Sequence, residues 1–172
     1  MKAPIAILIV VVFLCIIGAI LYRAFGRRKP PKQKSSKQSF DPFDDPAPTK
    51  KSIMESIDEM DGFQFEQFCA NLLEHFGYQK IHITRSTGDQ GVDIIAIKNG
   101  IRYAFQCKRY ASKIGNSAVQ EVNTGRALYS CQVGVVITNN YFTTGAKQAA
   151  KANGVELWDR DVLMDKIARI LH

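Results

Sequence analysis

Asp93, Gln106 and Lys108 are the residues of this 172-residue chain whose types and spacing could do chemistry. Val92 to Lys98 (VDIIAIK) and Ile101 to Lys108 (IRYAFQCK) are rich in β-branched and aromatic residues, and Asn99-Gly100 between them is a strong short signal for a two-residue hairpin. In such a hairpin Lys98 pairs with Ile101, so Asp93 falls opposite Gln106. Cross-strand partners have Cβ atoms roughly 5 Å apart, and Lys108 shares a face with Gln106 because side chains alternate along a strand. A bulge would shift this register by one residue, so the placement requires a regular turn.

A carboxylate, an amide and an ammonium group on one patch of sheet suit a hard divalent cation. Mg²⁺, with Mn²⁺ as a substitute, takes oxygen ligands and binds through one or two carboxylates plus substrate phosphate. Asp93 would be the first ligand and the Gln106 carbonyl oxygen an uncharged second one. Lys108 would orient or deprotonate the attacking water, as phosphodiester hydrolysis requires. Taken one at a time, the three read as a turn cap, a satisfied polar residue and a snorkelling lysine. Facing each other within apolar strands, however, an Asp and a Gln are costly to bury unless they bind something.

The run Gly88-Asp89-Gln90-Gly91-Val92-Asp93 followed by Gln106-Cys107-Lys108 resembles the catalytic core of the Mrr-type restriction endonucleases, within the PD-(D/E)xK nuclease superfamily. Phe65-Glu66, Phe76-Gly77-Tyr78, Val119-Gln120-Glu121, Val136-Ile137-Thr138-Asn139 and Phe142-Thr143 extend the resemblance over roughly Asp61 to Leu171. The resemblance implies a metal-binding role for Asp93, a metal-site role for Gln106 at the position usually Glu in the wider superfamily, and a catalytic role for Lys108. Glu66 matches an acidic residue on the first core helix and would be an auxiliary metal ligand, directly or through water. Asp89 is either a further auxiliary group or a cap of the Thr-Gly-Asp-Gln-Gly turn. Gln120 is a candidate for phosphate or metal-water contacts. Gln at position 106 leaves one fewer negative charge than the superfamily pattern.

At the amino terminus, Ala3 to Tyr22 is about 20 residues without a charge, enough to span a hydrocarbon core of about 30 Å as a helix. It reads as a single transmembrane helix (3–22) rather than a cleaved signal, since the apolar stretch is long and Arg23 follows at once. Arg23, Arg27, Arg28, Lys29, Lys32, Lys34 and Lys37 crowd its carboxyl-terminal flank, which places the rest of the chain in the cytoplasm. The expected location is a single pass in the bacterial inner (cytoplasmic) membrane. Residues 23–50, basic and rich in Pro and Ser, read as a disordered tether to a domain at 51–172.

The formal net charge of +7 is concentrated in that flank: from Lys51 to His172 there are fourteen Lys and Arg against thirteen Asp and Glu. A phosphate-binding surface must therefore be local, and Arg85, Arg109, Lys113 and Arg126 are the candidates beside Lys108. Cys15, Cys69, Cys107 and Cys131 lack metal-site spacing, and Cys107, on the sheet face opposite Gln106, reads as core. No P-loop or dinucleotide fingerprint is present.

The expected fold is α/β, a restriction-endonuclease-like core in the order α-β-β-β-α-β followed by α-β-α, its mixed sheet flanked by helices on both faces. The elements are helix Phe63–Phe76, strands Ile81–Arg85, Val92–Lys98 and Ile101–Lys108, helix Ser117–Tyr129, strand Val133–Thr138, helix Thr143–Asn153, strand Val155–Trp158 and helix Arg160–Leu171. The function expected is a membrane-anchored, Mg²⁺-dependent DNA endonuclease acting in restriction of foreign, including methylated, DNA, and a homodimer if it cuts both strands. Two other readings stand beside it: a catalytically weak module of nuclease fold tethering DNA or a protein at the membrane, and a structure-specific repair nuclease.

Overall fold

The Asn99-Gly100 turn sets the register on which the site depends. Both residues have left-handed backbones, with φ of 52° and 78°, as a tight hairpin between right-twisted strands requires. In the computed structural model, which describes residues 49–84 and 91–171, β2 (Ile94–Lys98) and β3 (Ile101–Lys108) pair antiparallel. Lys98 faces Ile101 and Ile94 faces Phe105, the expected register. β1 (Gln79–Ile83) lies antiparallel to β2, while β4 (Val133–Thr138) and β5 (Val155–Trp158) continue parallel on the other side of β3. The sheet order is β1-β2-β3-β4-β5.

Two strand limits differ from expectation, and the hydrogen bonds show why. β2 begins at Ile94 rather than Val92, because the Asp93 side chain, not a backbone carbonyl, accepts from the Cys107 N–H at 2.6 Å. β1 spans Gln79–Ile83 rather than Ile81–Arg85; its register is irregular between Gln79 and His82, where Lys80 has a φ of 50°.

Helices cover both faces. On one lie α1 (Lys50–Glu59), α2 (Gly62–His75) and α5 (Arg160–Ile170), packed on Phe105, Cys107, Val135 and Ile137. On the other, α3 (Asn116–Leu128) and α4 (Thr144–Asn153) pack on Ile95, Ala104 and Val136. Helix α1 is absent from the sequence expectation. It starts at the last residue of the expected tether, capped by a reciprocal Thr49–Ser52 box, and buries Ile53, Met54 and Ile57, with Met60 just beyond it, at helical spacing. Burying a side chain of that size contributes roughly 1.5–3 kcal/mol, which offsets the cost of ordering the helix.

The two ends of β3 differ in kind. At its start, Tyr103 and Phe105 join Tyr78 and Trp158 in a ring cluster with centroids 5.2–5.9 Å apart. At its carboxyl end, beside the carboxyl ends of β4 and β5, polar residues gather, where open α/β sheets place their ligands. Among the described residues no helix is long and apolar enough to cross a membrane. The expected span 3–22 and nearly all of the tether 23–50 lie outside the described residues.

Candidate active site

Asp93 and Gln106 are 7% and 4% exposed, and they meet as the hairpin register requires. Gln106 Nε2 donates to Asp93 Oδ2 at 2.8 Å, and the Cys107 N–H donates to the same oxygen. An ionised carboxylate only accepts, so the amide must turn its NH₂ toward Asp93, which fixes the Gln106 carbonyl oxygen on the other side. That oxygen, Oε1, is buried and has no hydrogen-bond partner among the described residues. Gln106 and Asp93 line a cavity of 360 Å³ together with Glu66 from α2, Gly91, Lys108 and Glu121 from α3.

This donor set fits a hard divalent cation. Among the described residues no group of three or more His, Cys, Asp and Glu side chains is arranged to hold a metal ion. The set on offer is two carboxylates, Asp93 and Glu66, with one buried amide oxygen that lacks a donor among the described residues; all three are oxygen ligands of the kind Mg²⁺ takes.

Lys108 Nζ lies 2.9 Å from Glu121 Oε2. Burial alone would lower the Lys108 pKa, but the hydrogen bond and charge of Glu121, with Tyr110 and Asp93, outweigh it and raise the pKa above the ordinary lysine value. Of the two roles expected for Lys108, the ion pair favours orienting groups as an ammonium over deprotonating water. Glu121 is itself held from behind. Gly91 has a φ of 77°, and a Cβ on it would come within 2.6 Å of Glu121 Cβ, so only glycine lets the approach to Asp93 lie against α3.

Residues 57–167 match the Mrr_cat restriction endonuclease family, well over half of the chain. The chain belongs to that family. Its fold is similar to those of the DNA modification-dependent restriction endonuclease AspBHI (20% identity, TM-score 0.57) and of the MspJI restriction endonuclease in complex with a 27-mer oligonucleotide (20% identity, TM-score 0.57). The match covers 72% and 71% of this chain but only 36% and 32% of those proteins. Protein VC1899 from Vibrio cholerae is also similar, at 15% identity and a TM-score of 0.51, over 64% of this chain and 33% of its own. No curated protein sequence matches. The domain is thus a nuclease domain of PD-(D/E)xK type on a mixed α/β frame.

Within this Mrr-type domain the remaining expectations divide. Gln120 is exposed and does not line the cavity; its neighbour Glu121 does. The helical period carried that signal, because Glu121 sits three residues after buried Ala118 and four before buried Gly125. Arg126, a candidate for DNA contact, donates to the carbonyl oxygens of Asn153 and Gly154 at 2.9 and 3.4 Å, closing the end of α4. Lys113 is exposed, and Arg85 and Asp89 lie outside the described residues. Burial pushes the Cys107 thiol well up, aided by a hydrogen bond with Cys69, as befits a core residue rather than a nucleophile.

Arg109 lines the cavity and leads to a polar cluster that sequence reasoning missed. Arg160 holds Asp58 with two hydrogen bonds of 2.8 Å, Asn139 Nδ2 donates to Asp58 Oδ1 at 2.9 Å, and Arg109 Nη1 donates to the Asp58 backbone oxygen at 3.1 Å. The Arg160 hydrogen bond is the main reason the Asp58 pKa lies below the ordinary carboxylate value.

Proposed function

We propose that this protein is a divalent-metal-dependent DNA endonuclease, anchored to the bacterial inner membrane by residues 3–22, that cuts foreign and especially modified DNA. The observation that carries the reading is Gln106 Oε1, without a hydrogen-bond partner among the described residues and buried beside Asp93 in a cavity shared with Glu66 and Lys108. A site that served only to pin two strands would leave no acceptor without a partner. Family membership supports DNA cleavage, and modification dependence is suggested by the description of AspBHI.

Asp93, the Gln106 carbonyl oxygen and Glu66 would hold Mg²⁺, or Mn²⁺ in its place. A cation held there would supply Lewis-acid chemistry, lowering the pKa of a water and neutralising charge on a phosphoryl oxygen. Gln106 Nε2 and the Cys107 N–H both donate to Asp93 Oδ2 and so orient the carboxylate. Lys108, held as an ammonium by Glu121, donates a hydrogen bond to a non-bridging phosphate oxygen or to the attacking water and so fixes the line of attack. Cutting both strands calls for two such sites, so the active form is a homodimer.

The test is cleavage of methylated and unmethylated plasmid by the purified full chain with Mg²⁺, Mn²⁺ or EDTA, beside Asp93→Ala and Lys108→Ala. Metal-dependent cutting lost in both variants is the expected result. No cutting of either plasmid, with DNA affinity equal in all three proteins, would favour a tethering module. Fractionation of cells expressing the chain with and without residues 3–22 tests the anchor: release of the shortened chain from membranes is expected.

A further inference from the structure

Two buried side-chain polar atoms lack a hydrogen-bond partner among the described residues, and they lie three positions apart at the end of β3. One is the acceptor Gln106 Oε1. The other is a donor, Arg109 Nε. Buried polar atoms go unpaired rarely, so each calls for a ligand of opposite kind: a cation for the first, an anion for the second.

We propose that Arg109 binds a backbone phosphate of the DNA strand next to the phosphate being cut, with Asp58, Asn139 and Arg160 as the bracket that holds it in position. The assignment rests on the nuclease reading of the adjoining cavity. It follows from how the charges are shared. The carboxylate that could have neutralised Arg109 is that of Asp58, and it is taken up by the Arg160 fork and by Asn139. Arg109 donates to the Asp58 backbone carbonyl, a neutral acceptor, and among the described residues no carboxylate forms an ion pair with its guanidinium. The next residue is fixed as well: the Tyr110 N–H donates to Asn139 Oδ1 at 3.0 Å.

Position agrees with charge. Beside the catalytic cavity is a second one of 370 Å³, whose walls include Asn140 and Arg160, and the two share Arg109 and Tyr110. A strand with its scissile phosphate at Asp93 and Gln106 would therefore meet Arg109 where the two cavities adjoin. A planar guanidinium whose Nε–H has no partner among the described residues suits a phosphate, which accepts two parallel hydrogen bonds.

The experiment is fluorescence anisotropy of a labelled short duplex with the full chain in a neutral detergent, in EDTA so that nothing is cut, across a salt series. Wild type is compared with Arg109→Gln, Arg109→Lys and Asp93→Ala. Arg109→Gln is expected to weaken binding several-fold and to lower the slope of log affinity against log salt by about one. Arg109→Lys should keep the slope but still bind several-fold more weakly, since a lysine has no fork. Asp93→Ala should leave the slope unchanged. An Arg109→Lys affinity equal to wild type overturns the proposal, whether or not Arg109→Gln folds. An Arg109-dependent slope in a protein that never cuts DNA with Mg²⁺ would leave the phosphate site standing and remove the nuclease reading instead.

Discussion

Asp58 and Asp93 are both carboxylates held by more than one neighbour, yet the groups around them are completed to different degrees. Around Asp58 the carboxylate meets a guanidinium fork and an amide, and the other end of that amide is used by Tyr110. Around Asp93 the partner amide donates its NH₂ to the carboxylate, and its buried carbonyl oxygen has no donor among the described residues. An unmet buried acceptor costs about 1–3 kcal/mol, which an apolar pair at the same two positions would avoid. The network around Asp58 satisfies its carboxylate and ties α1 to α5; the one around Asp93 leaves an acceptor that, on the function proposed above, a ligand would complete.

The largest effect that could break this contrast is on rate. Asp93→Asn keeps an oxygen that can accept from Gln106 and Cys107 but removes the charge, so cleavage should fall roughly 10²- to 10³-fold while the unfolding midpoint barely moves. Full activity in that variant would place Asp93 in the same structural class as Asp58. Next in size is Gly91→Ala. The new Cβ meets Glu121 Cβ at 2.6 Å and a backbone carbon at 2.9 Å in a left-handed conformation, so a loss of about 1–3 kcal/mol in urea unfolding is expected, with weaker cleavage as Glu121 and Lys108 shift. Gln106→Glu sharpens the comparison by placing a second carboxylate against the first. Without metal it should lower stability by about 1–2 kcal/mol, and Mg²⁺ should restore more of the melting temperature than it adds to wild type. Equal metal responses in the two proteins would mean that position 106 does not face the ion.

How much of this the chain reveals before folding depends on the range of the contacts. The Asp93–Gln106 pairing is legible because a two-residue turn at Asn99-Gly100 fixes every register position beyond it, and the ladder keeps that register from Lys98 opposite Ile101 to Ile94 opposite Phe105. The order of the later elements is legible for a similar reason, since period-two and helical patterns are local. The Lys108–Glu121 pair is not, because it depends on how α3 is rotated against the sheet, and a step of one residue separates Gln120, which faces solvent, from Glu121, which faces the cavity. Still less legible is Asp58, whose main partner Arg160 lies 102 residues away. Helix α1 itself left a readable trace in Ile53, Met54 and Ile57 behind the Thr49 cap.

The smallest expected effects belong to Asp58, and their direction with pH separates a completed network from a waiting one. Asp58→Ala removes the acceptor of the Arg160 fork and of Asn139. Because the Asp58 side chain is 39% exposed, solvent replaces part of what is lost, and about 1–2 kcal/mol of stability should go. The Asp58 pKa in the folded protein lies below the ordinary value of 3.8, chiefly through the Arg160 hydrogen bond. The unfolded chain therefore binds a proton more readily than the folded one, and the contribution is fully present above 3.8 and lost as pH falls through the depressed value. Urea unfolding of wild type and Asp58→Asn should show a gap at neutral pH that closes in the acid range below 3.8. A gap that stays constant through that range would mean that the carboxylate's charge contributes nothing and that shape alone holds α1 to α5.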